Sequence, residues 1–177
     1  YSVDGIMQHE KFMALPCGLL ADSSKPAVPI DMGNGIVVEN VTLTYSGKET
    51  PAIKGISLNI RPGERIALVG ENGSGKTTFI KLLTRLYDPD QGHIMVAGRN
   101  LRDFNVDTWH QRIGVIFQDF MRYDGTIAEN IGWARTERLQ DREAIKDALH
   151  KAGTENMTES LPGGLDARVG GWFEKGV

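Results

Sequence analysis

Ile66-Ala67-Leu68-Val69-Gly70-Glu71-Asn72-Gly73-Ser74-Gly75-Lys76-Thr77 is the stretch whose reading decides the fold. Its first four residues are continuously apolar, as expected of a central strand covered on both faces. The next eight fit G-x-x-x-x-G-K-[ST], a loop that wraps phosphate. Successive backbone N–H groups must point inward to meet phosphate oxygens. That demands backbone angles and a close approach that glycine permits and bulkier residues resist. A helix is predicted from about Lys76 to Leu86, with Phe79, Ile80, Leu82, Leu83 and Leu86 covering a wide apolar arc. Asp88-Pro89 stops it. Its N-terminus adds a positive end beneath the loop. Lys76 supplies a full charge to the outer phosphates, and Thr77 presents a hydroxyl to Mg²⁺. Strand, glycine-rich loop and helix in this order are the context that a polyphosphate site requires.

Outward from the loop, the upstream texture is that of paired strands. Ile36–Tyr45 alternates, with Val41, Leu43 and Tyr45 on one side. Ile56, Leu58 and Ile60 alternate likewise, and Pro62-Gly63 makes a turn. Downstream, His93–Gly98 reads as a strand, Val106–Gln111 as a short helix and Ile113–Phe117 as a second buried strand. Beyond Gln118 the character turns helical, over Thr126–Trp133 and Arg142–Ala152, the latter with Ile145 and Leu149 four apart on one face. Leu161–Val177, rich in glycine, reads as a loop. At the other end, Tyr1–Leu15 fits a weakly amphipathic helix, and Pro16, Gly18, Pro26 and Pro29 break any regular structure beyond it. Residues 1–32 are read as a linker.

Bulk properties narrow the function. The chain has 177 residues, 40% hydrophobic and 24% charged, enough to bury a core. Its net charge is -3, from 20 Lys+Arg against 23 Asp+Glu, which gives no reason to expect a nucleic-acid partner. Cys17 is the lone cysteine and cannot form an internal disulfide, which fits a reducing compartment. No apolar run approaches a membrane span, and the opening residues lack the basic region and apolar run expected of a signal peptide. The first residue is not Met, so an internal piece of a longer protein is expected. A GTPase would carry N-K-x-D and D-x-x-G, and neither occurs.

The remaining motifs resemble those of ABC-transporter ATPases, in order and spacing. Val41-Thr42-Leu43-Thr44-Tyr45 resembles the aromatic A-loop, whose tyrosine ring stacks on adenine. Such stacking is worth about 1–3 kcal/mol and tolerates any base. Val115-Ile116-Phe117-Gln118-Asp119 resembles the Q-loop, whose glutamine contacts Mg²⁺ and the attacking water. Thr126-Ile127-Ala128-Glu129-Asn130-Ile131 is similar to the first helix of the helical subdomain, especially in exporters, and Leu161–Gly170 to the segment before the signature motif. Gly171 stands where the commonest exporter pattern has an acidic residue.

The resemblance covers residues 35–177 and implies a fold class. It is an α/β P-loop NTPase core of the ABC ATPase type, with an antiparallel β subdomain and part of the helical subdomain, as an incomplete domain. The implied division is 1–32 as linker from a membrane domain, 33–118 as nucleotide-binding core and 119–177 as partial helical subdomain. ATP and Mg²⁺ are the implied ligands. Tyr45, Gly70, Asn72, Gly73, Ser74, Gly75, Lys76, Thr77 and Thr78 would hold the nucleotide, and Thr77 and Gln118 the metal. The implied partners are a second nucleotide-binding domain, in a homo- or heterodimer, and a fused or associated transmembrane domain. The implied location is the cytoplasmic face of a membrane. The family's LSGGQ signature, its Walker B strand ending in Asp-Glu and its switch histidine do not occur in this sequence. No catalytic base is therefore expected within these residues, and the chain is expected to bind Mg·ATP weakly without turning it over. Two other readings stay open. One is a soluble ABC-type ATPase without a membrane domain, and the other is a nucleotide-binding module that does not hydrolyse.

Overall fold

The computed structural model describes residues 22–31, 33, 35–118, 120 and 123–169. The expected helix over Tyr1–Leu15, Cys17, Asp119 and Gly170–Val177 lie outside them. The chain divides into two compact units, one ending at Val115 and the other beginning at Ile116.

The first unit is built on an antiparallel sheet of four strands in the order β2-β1-β3-β4. These are β1 (Ile36–Leu43), β2 (Ile53–Ile60), β3 (Gln91–Val96) and β4 (Arg99–Asn100). Val38, Val41 and Leu43 of β1, Ile53 of β2, and Ile94 and Val96 of β3 are buried in one core. Val38 and Val41 share that core although they are an odd number of residues apart, which strict alternation forbids. The register of β1 shifts between them on the β2 side, and Asn40 takes a positive φ of 47°. Across from this bulge, Gly92 sits at φ 75°, and a Cβ there would lie 2.3 Å from the carbonyl oxygens of Glu39 and Asn40. Gly92→Ala is therefore expected to destabilise the unit by more than about 2 kcal/mol, through left-handed strain and a backbone clash that no rotamer relieves. Urea unfolding checks this, and an unchanged midpoint would refute the bulge's role.

Helix α1 (Lys76–Leu83) turns Phe79 and Leu82 into the same core, and α2 (Val106–His110) adds Trp109, of which 1% is exposed. The start of α2 and the short turn Leu101–Asp103 come from local chemistry. Asn105 and Asn100 each accept the N–H of the residue two further on, as capping side chains do. The described part of the expected linker has no regular structure, yet it is packed. Val28 is buried and donates its N–H to Thr108 Oγ1 at 3.0 Å, Asn105 N–H donates to Pro26 O at 2.9 Å, and Lys25 Nζ donates to Arg102 O at 3.0 Å.

Three sequence expectations fail here. Ile66–Val69 is not a buried strand: the segment is irregular, with Ile66 46% and Val69 94% exposed. Ile113–Phe117 is not one either, and Ile116 is 88% exposed. The cause is common to both. A continuously apolar strand needs a hydrogen-bonded neighbour and two covered faces, and among the described residues no strand pairs with either run. Third, α1 ends at Leu83 rather than Leu86. Arg85 N–H donates to Leu82 O and Leu86 N–H to Lys81 O, with Arg85 in the left-handed region at φ 53°. That is a Schellman closure with arginine where glycine is usual.

The second unit holds α3 (Ile127–Gly132), α4 (Arg142–Ala152) and α5 (Glu155–Glu159), with a short antiparallel pair of β5 (Gly125–Thr126) and β6 (Arg168–Val169). Ala128, Ile145 and Leu149 form its core. Thr126 and Glu129 cap α3 reciprocally, and Asp141 caps α4 by accepting Ala144 N–H at 3.0 Å. Leu161–Val177, expected to be loop, contributes β6, and α5 has no counterpart among the sequence expectations.

These caps make an acid dependence. The Thr126 N–H holds the Glu129 carboxyl below its usual range, and the Ala144 N–H, then Arg138, does the same for Asp141. A depressed folded pKa means the stabilisation is complete above the unfolded carboxylate value of about 4 and is lost as pH falls through the lower folded value. Asp141→Ala is expected to lower the thermal midpoint of the second unit at pH 7 and to lower it much less at pH 3. Equal losses at both pH values would count against the ionised cap.

Candidate functional site

Gly70–Thr77 leaves an irregular apolar segment and enters α1 without a break. Gly75 is the hinge of that entry. Its φ is 90°, and a Cβ on it would come within 2.6 Å of Ala52 O, so the loop lies against the start of β2 more closely than any larger residue allows. Ser74 N–H donates back to Glu71 O at 3.2 Å. Among the described residues, the N–H groups of Gly73, Gly75, Lys76 and Thr77 have no protein acceptor. That fits a helix N-terminus, whose first N–H groups have no partner inside the helix.

Lys76 folds over this loop. Its Nζ donates to Gly70 O and to Glu71 O, each at 2.7 Å, with Ser74 Oγ at 3.3 Å. The ammonium thus lies on the same loop as the unpaired amides, and a cationic group together with free helix N-terminal N–H groups is a combination that binds anions. Asn72 and Thr77 are exposed, and Thr78 beneath them is buried.

Tyr45 reaches the same end of α1. It follows β1 rather than belonging to it. Its hydroxyl and Thr78 Oγ1 share a hydrogen bond of 3.1 Å, and its ring meets Tyr87 edge to face at 5.2 Å between centroids. Of the residues singled out in the sequence, the structure therefore brings Tyr45 and Gly70–Thr78 together in the first unit. Gln118 lies in the second unit and is exposed.

Sequence reasoning missed the residues that hold α1 from its far end. Trp109 Nε1 donates to Leu83 O and His110 Nε2 to Thr84 O, each at 2.9 Å. A carbonyl only accepts, so the imidazole carries its proton on Nε2. These two side chains take carbonyls that the helix C-terminus leaves unpaired. The signal was a tryptophan and a histidine side by side on a short amphipathic turn, which does not reveal an acceptor 26 residues away.

Thr77 offers a neutral oxygen at the loop's exit. No group of three or more His, Cys, Asp or Glu among the described residues could hold a metal ion. That donor set suits Mg²⁺ carried in on phosphate oxygens, since Mg²⁺ retains waters and takes one or two protein ligands beside the phosphates. Among the described residues no helix is long and apolar enough to cross a membrane.

Comparison with known proteins yields a consistent set. The family model for ABC transporters matches residues 53–170. The subtilin transport ATP-binding protein SpaT of Bacillus subtilis is 35% identical over 143 residues, covering 81% of this chain and 23% of that protein. The ATP-dependent lipid A-core flippase of Salmonella typhimurium is 39% identical over 149 residues, covering 84% of this chain and 25% of that protein. A solved bacterial Atm1-family ABC exporter with ATP bound superposes with a TM-score of 0.81 at 25% identity, over 95% of this chain and 29% of that one. The chain thus spans about a quarter of the length of the curated relatives it matches.

Proposed function

The chain belongs to the ABC transporter family, and on that premise we propose that it is the ATP-binding portion of an ATPase that couples ATP binding and hydrolysis to export across a membrane. The observation that carries this reading is the loop itself: the N–H groups of Gly73, Gly75, Lys76 and Thr77 without protein acceptors among the described residues, and the Lys76 ammonium folded back on the same loop at Gly70 O and Glu71 O. In this proposal Gly70, Asn72, Gly73, Ser74, Gly75 and Thr78 line the triphosphate and Lys76 neutralises its outer charge. Tyr45 stacks on the base, and Thr77 supplies an oxygen ligand to Mg²⁺. Bound Mg²⁺ offsets the charge of the phosphate oxygens. Lys76 must exchange two backbone carbonyls for phosphate, which keeps the loop closed on itself until an anion arrives.

The export role draws on the relatives, a flippase and an exporter by name. In keeping with it, the proposed partners are a transmembrane domain and a second nucleotide-binding domain, at the cytoplasmic face of a membrane. Phosphoryl transfer is mostly positioning and charge stabilisation, and these 177 residues hold no LSGGQ signature and no apolar strand ending in Asp-Glu. The chain by itself is therefore proposed to bind Mg·ATP without turnover. Calorimetric titration tests this: ATP and tripolyphosphate with Mg²⁺ should bind, AMP should bind far more weakly, and no phosphate should be released above background. Equal affinity for AMP and ATP would overturn the phosphate-loop reading.

A further inference from the structure

The segment after α1 grips Tyr45 from two directions. Asp90 Oδ2 accepts the N–H of Thr44 at 2.6 Å, and Asp90 N–H donates to Thr42 O at 2.9 Å, so the backbone on which Tyr45 sits is tied to this segment. Three residues earlier on the same segment, the Tyr87 ring stands perpendicular to the Tyr45 ring, with 5.2 Å between centroids and 85° between planes. On its other side the Tyr45 hydroxyl is held by Thr78 Oγ1 at 3.1 Å. A tyrosine side chain has two torsions to fix before it can present a ring to a ligand. A perpendicular aromatic neighbour and a hydroxyl partner fix both in advance.

We propose that Tyr87 is a positioning residue for base recognition: it sets the tilt of the Tyr45 ring, so that ATP affinity depends on a residue that never touches the nucleotide. The inference rests on the proposal that Tyr45 is the base platform. Its reach is limited to the base, because the polyphosphate is held by the loop amides and Lys76. Tyr87 is itself 41% exposed, so truncating it removes little core.

The test compares Mg·ATP with Mg·tripolyphosphate, which has no base, on the full 177-residue chain by calorimetry. Tyr87→Ala should weaken ATP about three- to tenfold, the range expected for losing one aromatic pair, and leave tripolyphosphate unchanged. Tyr87→Phe should bind both as the wild type does, because the contact is ring to ring. In a Tyr45→Ala background, Tyr87→Ala should have no further effect on ATP, since there is no ring left to position. The inference is overturned if Tyr87→Ala leaves ATP affinity unchanged or raises it. It also fails if ATP and tripolyphosphate weaken equally, or if the two substitutions act additively. Those outcomes leave the phosphate site standing. If the wild-type chain binds neither ligand, the phosphate-site reading and this inference fall together.

Discussion

Lys76→Ala should weaken Mg·ATP binding by about a hundredfold or more while leaving the thermal stability of the chain nearly unchanged. The size follows from charge. Two unit charges 4 Å apart attract by about 4 kcal/mol at an effective dielectric of 20, and a triphosphate offers several negative charges. Against this stands the loss of the two carbonyl bonds that Lys76 makes to Gly70 and Glu71, each 2.7 Å long. These are solvent-facing, so water replaces them at little cost. A net loss of about 3 kcal/mol corresponds to rather more than a hundredfold in affinity. The same exposure explains why stability should not follow: the bonds staple a loop to itself and bury no apolar surface. Lys76→Arg is not a rescue. A planar guanidinium has donors in a fixed fork, and it cannot sit as a compact point charge between two carbonyls. Calorimetry at fixed salt and a melting curve decide the matter. An affinity loss under about threefold would remove Lys76 from the site, and a large drop in melting temperature would make it a structural residue.

That the loop was readable from sequence has a physical cause. The function proposed for it is performed by backbone, which demands glycine at set positions and a lysine at the helix entry, so the requirement is written in one contiguous stretch. The start of α1 at Lys76 and the bounds Arg142–Ala152 of α4 were legible for a related reason: loop-to-helix junctions, caps and helical spacing are local. The two apolar runs, Ile66–Val69 and Ile113–Phe117, show the opposite case. Their composition records the surroundings a strand of that kind needs, covered on both faces. A ladder partner is a second segment, and composition cannot supply it. Tyr45 falls between. Its resemblance to the A-loop tyrosine, upstream of the phosphate loop, made it a candidate, but its anchoring on Thr78, 33 residues away, and on Tyr87 exists only in three dimensions. Arg85 was the least legible. A basic residue in the last turn of a helix reads as a solvated side chain facing the helix dipole, whereas here it is 5% exposed.

Arg85→Ala is accordingly expected to be the most destabilising single side-chain truncation at the end of α1, by about 3 kcal/mol. The guanidinium donates to Phe104 O at 2.7 Å through one terminal nitrogen and to Arg102 O at 3.2 Å through the other, and its Nε lies 3.4 Å from Asp88 Oδ1. One planar group thus closes the helix end, the Arg102–Phe104 turn and the Asp88 carboxylate around itself. Removing it leaves a buried carbonyl without a donor and a partly buried carboxylate with less of its counter-charge. The backbone at this position gives a way to separate the side-chain bonds from the strain. Arg85 holds φ 53°, an angle that costs any residue with a Cβ about 1 kcal/mol and glycine almost nothing. Arg85→Gly should therefore be about 1 kcal/mol more stable than Arg85→Ala, although glycine is the smaller residue. Arg85→Lys should fall nearer the wild type, keeping the charge but not the fork that reaches three acceptors. Chemical denaturation of the three variants gives the order directly. If alanine were tolerated within about 0.5 kcal/mol, or glycine were worse than alanine, the guanidinium would not be what holds the far end of the phosphate helix. The side chains of Trp109 and His110 would then be left to set the helix on which the loop amides are aimed.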